Sequence, residues 1–247
     1  MRPGPFARNT LAVLWITALN ATSPASGAEN ANSKVFPPCS NPHGLSYAEW
    51  SARQWQWLFS LPVDHHPLFD SADCSTGQSG KVWFLGGTFS TSEIEPGVIL
   101  GKADRTCKIP SGTALFLPMV AAECSEIEGN GETEAVLREC ANFFGDFIIP
   151  SSVFLEIDGK PVTNPERYRV ESPLFSIGPL PENNVLGAAQ GSTSPAVSDG
   201  YFAMVKPMSV GKHTLRFGGI IDVSSIGGPI FIQDIKYTID VMPRGRY

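Results

Sequence analysis

The densest run of side chains that could do chemistry is Asp64-His65-His66, which is followed closely by Asp70. Imidazole and carboxylate groups together suit zinc, copper or iron. His65, His66 and Asp70 therefore form a metal-site hypothesis. The alternative is a solvated polar loop. Neighbouring residues of an extended chain point to opposite sides, so the two histidines would need a tight turn to share one ion.

Glu123 is the carboxylate best placed for acid–base chemistry. It follows an apolar run and stands next to Cys124. A carboxylate held rigidly and partly out of water has a raised pKa, which suits a general acid. Any catalysis is therefore expected from Glu123 together with Asp64, His65 or His66, as in a hydrolase or a metal-dependent enzyme. The alternative is a solvated acidic loop.

Tryptophans at 50, 55 and 57 suggest a binding function, because flat rings present a large apolar area on which sugars stack. Trp50 and Trp57 share one face of a helix, whereas Trp55 projects elsewhere. Trp55 is therefore the predicted exposed, ligand-binding ring. The alternative is that all three rings pack structurally, with Trp55 beneath a loop.

Residues 179–200 show neither helical nor strand periodicity and are rich in Gly, Ser, Asn and Pro. Long loops of this kind are usually functional or disordered. The stretch is a candidate rim or lid, with Asn183 and Asn184 as ligand-binding candidates.

Two short segments match catalytic serine motifs in sequence but not in the expected structural context. Ser46 lies in a relaxed G-x-S-x-A match, but helix capping explains it better. Ser209 and Lys212 match S-x-x-K across a predicted turn, so the match is attributed to chance. His213 lies on an apolar strand face and is expected to be half-buried, with backbone hydrogen bonds.

The five cysteines are Cys39, Cys74, Cys107, Cys124 and Cys140. No C-x-x-C pair occurs, which disfavours a structural zinc site and a thioredoxin-like redox pair. Pairs Cys74–Cys107 and Cys124–Cys140 are predicted because each closes a local loop, although the sequence leaves other pairings open. Cys39 is then left free or pairs between chains.

Helical signals occur twice. Ser46 and Glu49 have capping-box spacing, and apolar residues recur at near-helical intervals until Pro62, which predicts a helix over residues 47–60. An acidic first turn followed by an apolar stripe predicts a second helix over residues 132–144.

Most of the remaining chain consists of short apolar runs between Gly, Pro and Asn turns, which predict β-strands. Asp158-Gly159 is a two-residue hairpin signal, and residues 235–241 alternate as a strand with one solvated face. In pattern, the C-terminal half resembles the closing hairpins of immunoglobulin-like sandwiches. The predicted fold is mainly β (α+β): an antiparallel β-sandwich, immunoglobulin-like or jelly-roll, with two accessory helices.

Three segments are predicted. Arg2 and Arg8, an apolar run over residues 11–19 and the small residues before position 28 form a signal peptide over residues 1–28. Residues 29–42 are expected to be a flexible mature N-terminus, and residues 43–247 a single β-rich domain. The protein is therefore expected to be exported to the periplasm or the cell exterior.

The formal net charge of −6, without a block of Lys and Arg, disfavours nucleic acid and anionic membrane surfaces as partners. No later apolar stretch is long enough for a membrane span. No intact catalytic motif is present, so the leading hypothesis is a non-catalytic domain that binds a small molecule or a glycan. The alternatives are the enzyme built on Glu123 and a structural envelope or matrix component. The sequence leaves any cofactor and the oligomeric state open.

Overall fold

The computed structural model describes residues 30–244, so the predicted signal peptide lies outside the described residues. Two α-helices occur in this range, α1 (Tyr47–Phe59) and α2 (Glu134–Asp146). The strands are β1 (Val82–Phe84), β2 (Thr91–Glu95), β3 (Val98–Pro110), β4 (Ala114–Ser125), β5 (Phe154–Ile157), β6 (Lys160–Pro161), β7 (Arg169–Glu171), β8 (Phe175–Ile177), β9 (Ser194–Val205), β10 (Gly211–Asp222) and β11 (Ile230–Met242).

The strands form two sheets. The first has the order β1-β4-β9-β7, with β8 also paired to β9, and the second has the order β2-β3-β11-β10-β5-β6. The predicted mainly β, sandwich-like class with two helices is confirmed. Both sheets are mixed rather than wholly antiparallel, because β1 pairs with β4 and β3 with β11 in parallel. Alternation of apolar residues shows that a strand has one buried face, but it does not show the direction of its neighbour.

The main core fills the space between the sheets. Leu115 and Leu117 from the first sheet and Phe217 and Ile239 from the second are fully buried in one cluster. In β11 the buried side chains alternate with more exposed ones, as the sequence predicts. The Asp158-Gly159 hairpin between β5 and β6 is also confirmed, and both turn residues have the positive φ that such a turn requires, 53° and 71°.

α1 begins at the predicted capping box, in which Ser46 and Glu49 bond reciprocally, and it ends one residue before the predicted boundary. It packs on the first sheet. The Tyr47 hydroxyl donates to Phe36 O at 2.7 Å and accepts from Met204 N at 3.2 Å. These two bonds fix the start of α1 against β9 and the N-terminal segment.

α2 begins and ends two residues later than predicted, with Thr133 as its N-cap. Its buried face contacts β4 and β9 in a small cluster formed by Cys124, Leu137, Ala141 and Val197. Both predicted disulfides, Cys74–Cys107 and Cys124–Cys140, are confirmed. Cys39 is free and exposed.

The N-terminal segment, for which the sequence predicts a flexible stretch over residues 29–42, contacts β9 through its described residues. Ala31 and Val35 are buried, Val35 forms a bridge with Val205, and Phe36 N donates to Met204 O at 2.9 Å. The Asn- and Pro-rich composition obscured the two small apolar side chains that dock this segment. No helix within residues 30–244 is long and apolar enough to cross a membrane.

Candidate functional site

α1 distributes its tryptophans to two sides, as the helical repeat predicts. Trp50 and Trp57 both contact Phe84, with ring centroids 6.2 and 5.8 Å apart. Trp55 instead stacks on Phe59 at 5.7 Å. The helix therefore separates two cavities.

The larger region, which we call the α1 cleft, is an open cleft of about 790 Å³ beside Trp50 and Trp57. It combines aromatic rings, cations, a histidine and neutral polar groups, and none of its lining residues is Asp or Glu. The lining residues are His43, Leu45, Trp50, Arg53, Gln56, Trp57, Ser60, Gly77, Ser79, Gly80, Lys81, Val82 and Phe84.

Backbone acceptors hold the two indole rings of the α1 cleft in place. Trp50 Nε1 donates to Pro42 O at 2.9 Å, and Trp57 Nε1 donates to Thr76 O at 3.3 Å. A ring that is already fixed loses little conformational entropy when a ligand stacks on it. Trp57 is largely buried and Trp50 is half-buried, so Trp50 presents most of the preformed apolar surface, while polar recognition is left to other lining residues.

Arg53 and Lys81 are the cations of the α1 cleft, and both are exposed. In the described part of the chain, neither forms an ion pair within 4.0 Å, in contrast to Arg105, Arg138 and Arg169. Arg53 interacts electrostatically with Glu49 one helical turn earlier but forms no direct ion pair with it, so both cations can still approach an anionic group on a ligand. This local positive charge contrasts with the formal net charge of −6 for the whole chain.

The smaller region, which we call the Trp55 cavity, has a volume of about 150 Å³ on the other side of α1. Trp55 is half-buried there rather than exposed. Its lining residues are uncharged: Gln54, Trp55, Leu58, Leu68, Gly87, Thr88, Phe89, Pro118, Ala121, Phe231 and Gln233. The structure therefore places the predicted ligand-binding ring at an apolar cavity.

Both nitrogens of His66 are occupied by the backbone. Nε2 lies 2.9 Å from Leu58 O, and Nδ1 accepts from Leu68 N at 3.1 Å. The ring is fully buried, and burial lowers its pKa. His65 is exposed, with its ring 3.6 Å from the Asp64 carboxylate.

Asp70 faces a different partner, because its carboxylate accepts from Arg105 Nε at 2.5 Å. Arg105 is buried and also donates to Gly87 O and Tyr237 Oη. The predicted ligands His65, His66 and Asp70 are therefore not brought together. Within residues 30–244, no group of three or more His, Cys, Asp and Glu side chains is placed to hold a metal ion.

Glu123 has the environment expected of a general acid. Burial, together with the neighbouring Glu128 carboxyl, raises its pKa to about 9, although Ser125 opposes the shift. Its Oε1 atom is buried and has no hydrogen-bond partner among the described residues. Glu123 pairs across the sheet with Ser198, whose buried hydroxyl also lacks a partner, so two unsatisfied groups share one sheet face.

The two asparagine candidates shape a loop. Asn184 is buried, and its side chain bonds to Pro181 O, Ala188 O and Ala188 N at 2.7–3.1 Å. Asn183 is exposed, and its carbonyl accepts from Val63 N at 2.8 Å. Neither lines the α1 cleft or the Trp55 cavity, and the loop ends where β9 begins at Ser194.

His213 has a partner that sequence reasoning missed. Its Nδ1 lies 3.0 Å from Asp158 Oδ2, and its Nε2 lies 3.2 Å from Ser209 Oγ and 3.0 Å from Ser209 O. The order Ser-His-Asp resembles a catalytic triad, but the general base of a triad needs a free Nε2 lone pair. The Ser209 carbonyl oxygen can only accept, and it lies closer to Nε2 than the Ser209 hydroxyl does, so this geometry favours an Nε2–H and a clamp between β10 and the β5–β6 hairpin.

The cations of the α1 cleft were not among the sequence candidates. Arg53 could have been found, because residues 50, 53 and 57 follow helical spacing and share a stripe. Lys81 could not, since its position depends on the parallel pairing of β1 with β4. No protein-family model, curated protein sequence or solved structure matches this chain.

Proposed function

We propose that this protein is a non-catalytic binding protein and that its ligand, a small molecule or glycan with an acidic group, occupies the α1 cleft. One observation carries the proposal: fixed aromatic rings and two exposed cations line one open cleft that has no carboxylate. The volume of the cleft is within the range typical of small-molecule sites, roughly 300–1,000 Å³.

The rings and the cations would contribute differently. Trp50 and Phe84 offer apolar surface for the face of a sugar ring or another flat group. Arg53 can bind a carboxylate or sulfate through two parallel hydrogen bonds, and Lys81 adds a point charge. Acidic ligands are thereby favoured over neutral ligands of the same size.

Titration calorimetry with acidic and neutral oligosaccharides of equal length tests the proposal. Oligogalacturonate is the acidic probe, and a malto-oligosaccharide is the neutral one. The acidic probe is expected to bind more tightly and to lose affinity as salt is added, because salt screens exposed charges. Equal affinity for the two probes, or binding of neither, would contradict an acidic glycan ligand.

Variants then locate the binding site. A double variant, Arg53→Gln with Lys81→Gln, is expected to weaken binding of the acidic probe by at least about tenfold, since one charged hydrogen bond contributes about 1.5–3 kcal/mol. The matched control is Trp55→Phe, which alters the opposite side of α1. If the double variant retains full affinity, the ligand does not occupy the α1 cleft.

The second candidate function is an enzyme that uses Glu123 as an acid, and the raised pKa of the Glu123 carboxyl favours this function. In the described residues, no hydrogen bond or ion pair joins Glu123 to Asp64, His65 or His66, so the catalytic set would have to be different. A screen with ester and glycoside substrates, followed by Glu123→Gln, tests this candidate. Activity that survives the substitution would rule out Glu123 as the acid.

We propose that the protein is exported to the periplasm or the cell exterior. Its two disulfides support this location, because such bonds persist in oxidising compartments. N-terminal sequencing of the protein from the exported fraction is expected to show a chain that begins near residue 29. An intact Met1 would contradict the predicted signal peptide.

A further inference from the structure

A second basic region lies where the N-terminal segment pairs with the end of β9. We call it the Lys206 pocket, and its volume is about 220 Å³. It shares no lining residue with the α1 cleft or the Trp55 cavity, and none of its lining residues is Asp or Glu. The polar residues that line it are Ser33, Lys34, Lys206, Ser209 and His213.

Strand pairing brings the two lysines of the Lys206 pocket together. Val35 and Val205 form an antiparallel bridge, and Lys206 N donates to Lys34 O at 2.8 Å. Lys34 and Lys206 are therefore opposite each other, with their side chains on the face away from the two buried valines. Like charges at opposite positions destabilise a strand pair. An anion beside the two ammonium groups would offset this repulsion.

Lys206 is the cation best placed to bind such an anion. Lys34 forms an ion pair with Asp158 at 3.0 Å, whereas the half-buried Lys206 forms none within 4.0 Å among residues 30–244. Lys206 Nζ donates to Ser33 O at 2.8 Å and lies 5.6 Å from the centroid of the Phe36 ring. An ammonium group has three N–H donors, so the bond to Ser33 fixes its position and leaves N–H groups for a ligand.

The Ser209 hydroxyl supplies a second donor to the same pocket. His213 Nε2 lies 3.0 Å from the Ser209 carbonyl oxygen, which favours a proton on this nitrogen. A protonated Nε2 cannot accept a hydrogen bond, so the hydroxyl of the exposed Ser209 keeps its own proton for another acceptor. An ammonium group and a hydroxyl group therefore line one pocket with donors to offer.

From these contacts we propose that the Lys206 pocket binds a phosphate group. Lys206 Nζ and Ser209 Oγ would each donate to a phosphate oxygen, and Lys34 adds positive charge. The volume of about 220 Å³ is larger than the roughly 150 Å³ that holds a benzene molecule, so a small phosphate ester fits as well as the free ion. This site is separate from the α1 cleft and does not depend on the function proposed there.

Inorganic phosphate is the first probe, because it carries the anion without any other group. Its binding would be measured by calorimetry at constant ionic strength, with chloride as the balancing anion. In proton–nitrogen NMR spectra, the backbone amides of Met208 and Ser209 are expected to shift saturably as phosphate is added. Absence of saturable binding, or saturation without a shift of these amides, would overturn the proposal.

Glycerol phosphate is the second probe and distinguishes the two sources of the phosphate group. Its organic part would lie against Pro207 and Met208, which line the pocket beside the polar residues. Tighter binding than that of inorganic phosphate assigns the site to an ester, and weaker binding assigns it to the free ion.

Variants assign phosphate to this pocket. Lys206→Gln is expected to weaken phosphate binding by at least about tenfold, and Ser209→Ala by about fivefold. Lys236→Gln is the matched control, because it removes the same charge from an exposed position where Lys236 pairs with Asp104, and it should leave the affinity unchanged. An equal loss in the control would mean that phosphate responds only to net charge, which would overturn the assignment.

The double variant Arg53→Gln with Lys81→Gln separates this site from the α1 cleft. It is expected to bind phosphate as the parent does. Phosphate binding that is lost in the double variant but kept in Lys206→Gln would place the ion in the α1 cleft and overturn the proposal. Each variant would first be checked for native circular dichroism, and if Lys206→Gln does not fold, Ser209→Ala and the amide shifts of the parent decide.

Discussion

Burial determines the chemistry of Glu123. Its side chain lies on the face of β4 that also carries Ser125, and its pKa is raised to about 9 by burial and by Glu128. At neutral pH this group is therefore an uncharged acid in the folded protein. In the unfolded chain the Glu123 carboxyl ionises near pH 4.5. Between pH 4.5 and 9 the folded protein therefore holds one proton more than the unfolded chain does.

Glu123→Gln is expected to remove a pH-dependent destabilisation. Because the folded pKa is raised, the free energy of unfolding should fall as pH rises from about 4.5 to 9 in the parent protein. The free energy of unfolding of the variant minus that of the parent should therefore be about 1–3 kcal/mol larger at pH 8 than at pH 5. Urea unfolding at both pH values measures this, with the exposed Glu126→Gln as the control. A pH-independent difference would show that Glu123 ionises normally.

His66 has a structural role that its sequence neighbour lacks. His66→Leu removes the ring that bonds Leu58 O and Leu68 N, so two buried backbone groups lose their partner. The expected loss of stability is about 2–4 kcal/mol, whereas the exposed His65→Ala should cost less than about 0.5 kcal/mol. Chemical denaturation of the two variants gives the comparison. Equal effects would contradict the assignment of His66 to the core.

Among the elements, those specified by nearby residues were predictable. The capping box at Ser46 and the Asp158-Gly159 turn use contacts within a few residues, and both form as the sequence indicates. β2 and β3 were not predicted, because β3 depends on β11, more than 120 positions later, for its parallel partner. The N-terminal segment likewise pairs with a distant strand, β9, so its contacts could not be predicted from nearby residues.

The β5–β6 hairpin is held by the charge of Asp158. Burial alone would raise its pKa, but hydrogen bonds from His213, Thr214 N and Lys34 outweigh it and lower the pKa to about 2. The stability contributed by this carboxylate should be fully present above about pH 4 and be lost as pH falls towards 2. The hydrogen bond between Asp158 and His213 also holds the imidazole against Ser209.

Asp158→Asn tests this clamp, because Asn tolerates the positive φ of the turn while it removes the charge and replaces one of the two acceptor oxygens by an NH2 donor. The loss of stability at pH 7 is expected to be about 1 kcal/mol after allowance for solvent screening, and the difference from the parent should disappear near pH 2. Thermal unfolding across this pH range measures it. The control is Asp104→Asn, which removes an exposed ion pair with Lys236. A loss that persists at pH 2 would implicate the turn rather than the charge.

For the whole molecule, the α1 cleft and the Trp55 cavity depend on how distant elements meet. The sequence shows that Trp50 and Trp57 share one helix face and that Trp55 does not. It does not show that β1 brings Lys81 and Phe84 to the first face, or that β4 and β11 supply Ala121 and Gln233 to the second. Helix periodicity was therefore enough to separate the two sites but not to identify their walls.

The two disulfides join elements that also pack against each other. Cys124–Cys140 links β4 to α2, whose outer face is exposed at Val136 and Phe143, and it closes a loop of 16 residues. A loop of this length implies about 3 kcal/mol of stabilisation, chiefly by restricting the unfolded chain.

Replacing Cys124 and Cys140 together by Ala should therefore lower the free energy of unfolding by about 3 kcal/mol, measured in urea without reductant. Cys39→Ser is the control, since Cys39 is free and exposed, and it should leave stability unchanged. In a second series with reductant, the parent and the control should be destabilised alike, and the double variant should be affected less, because only Cys74–Cys107 remains to be reduced. A double variant as stable as the parent would mean that α2 is held by the packing of Leu137 and Ala141 alone.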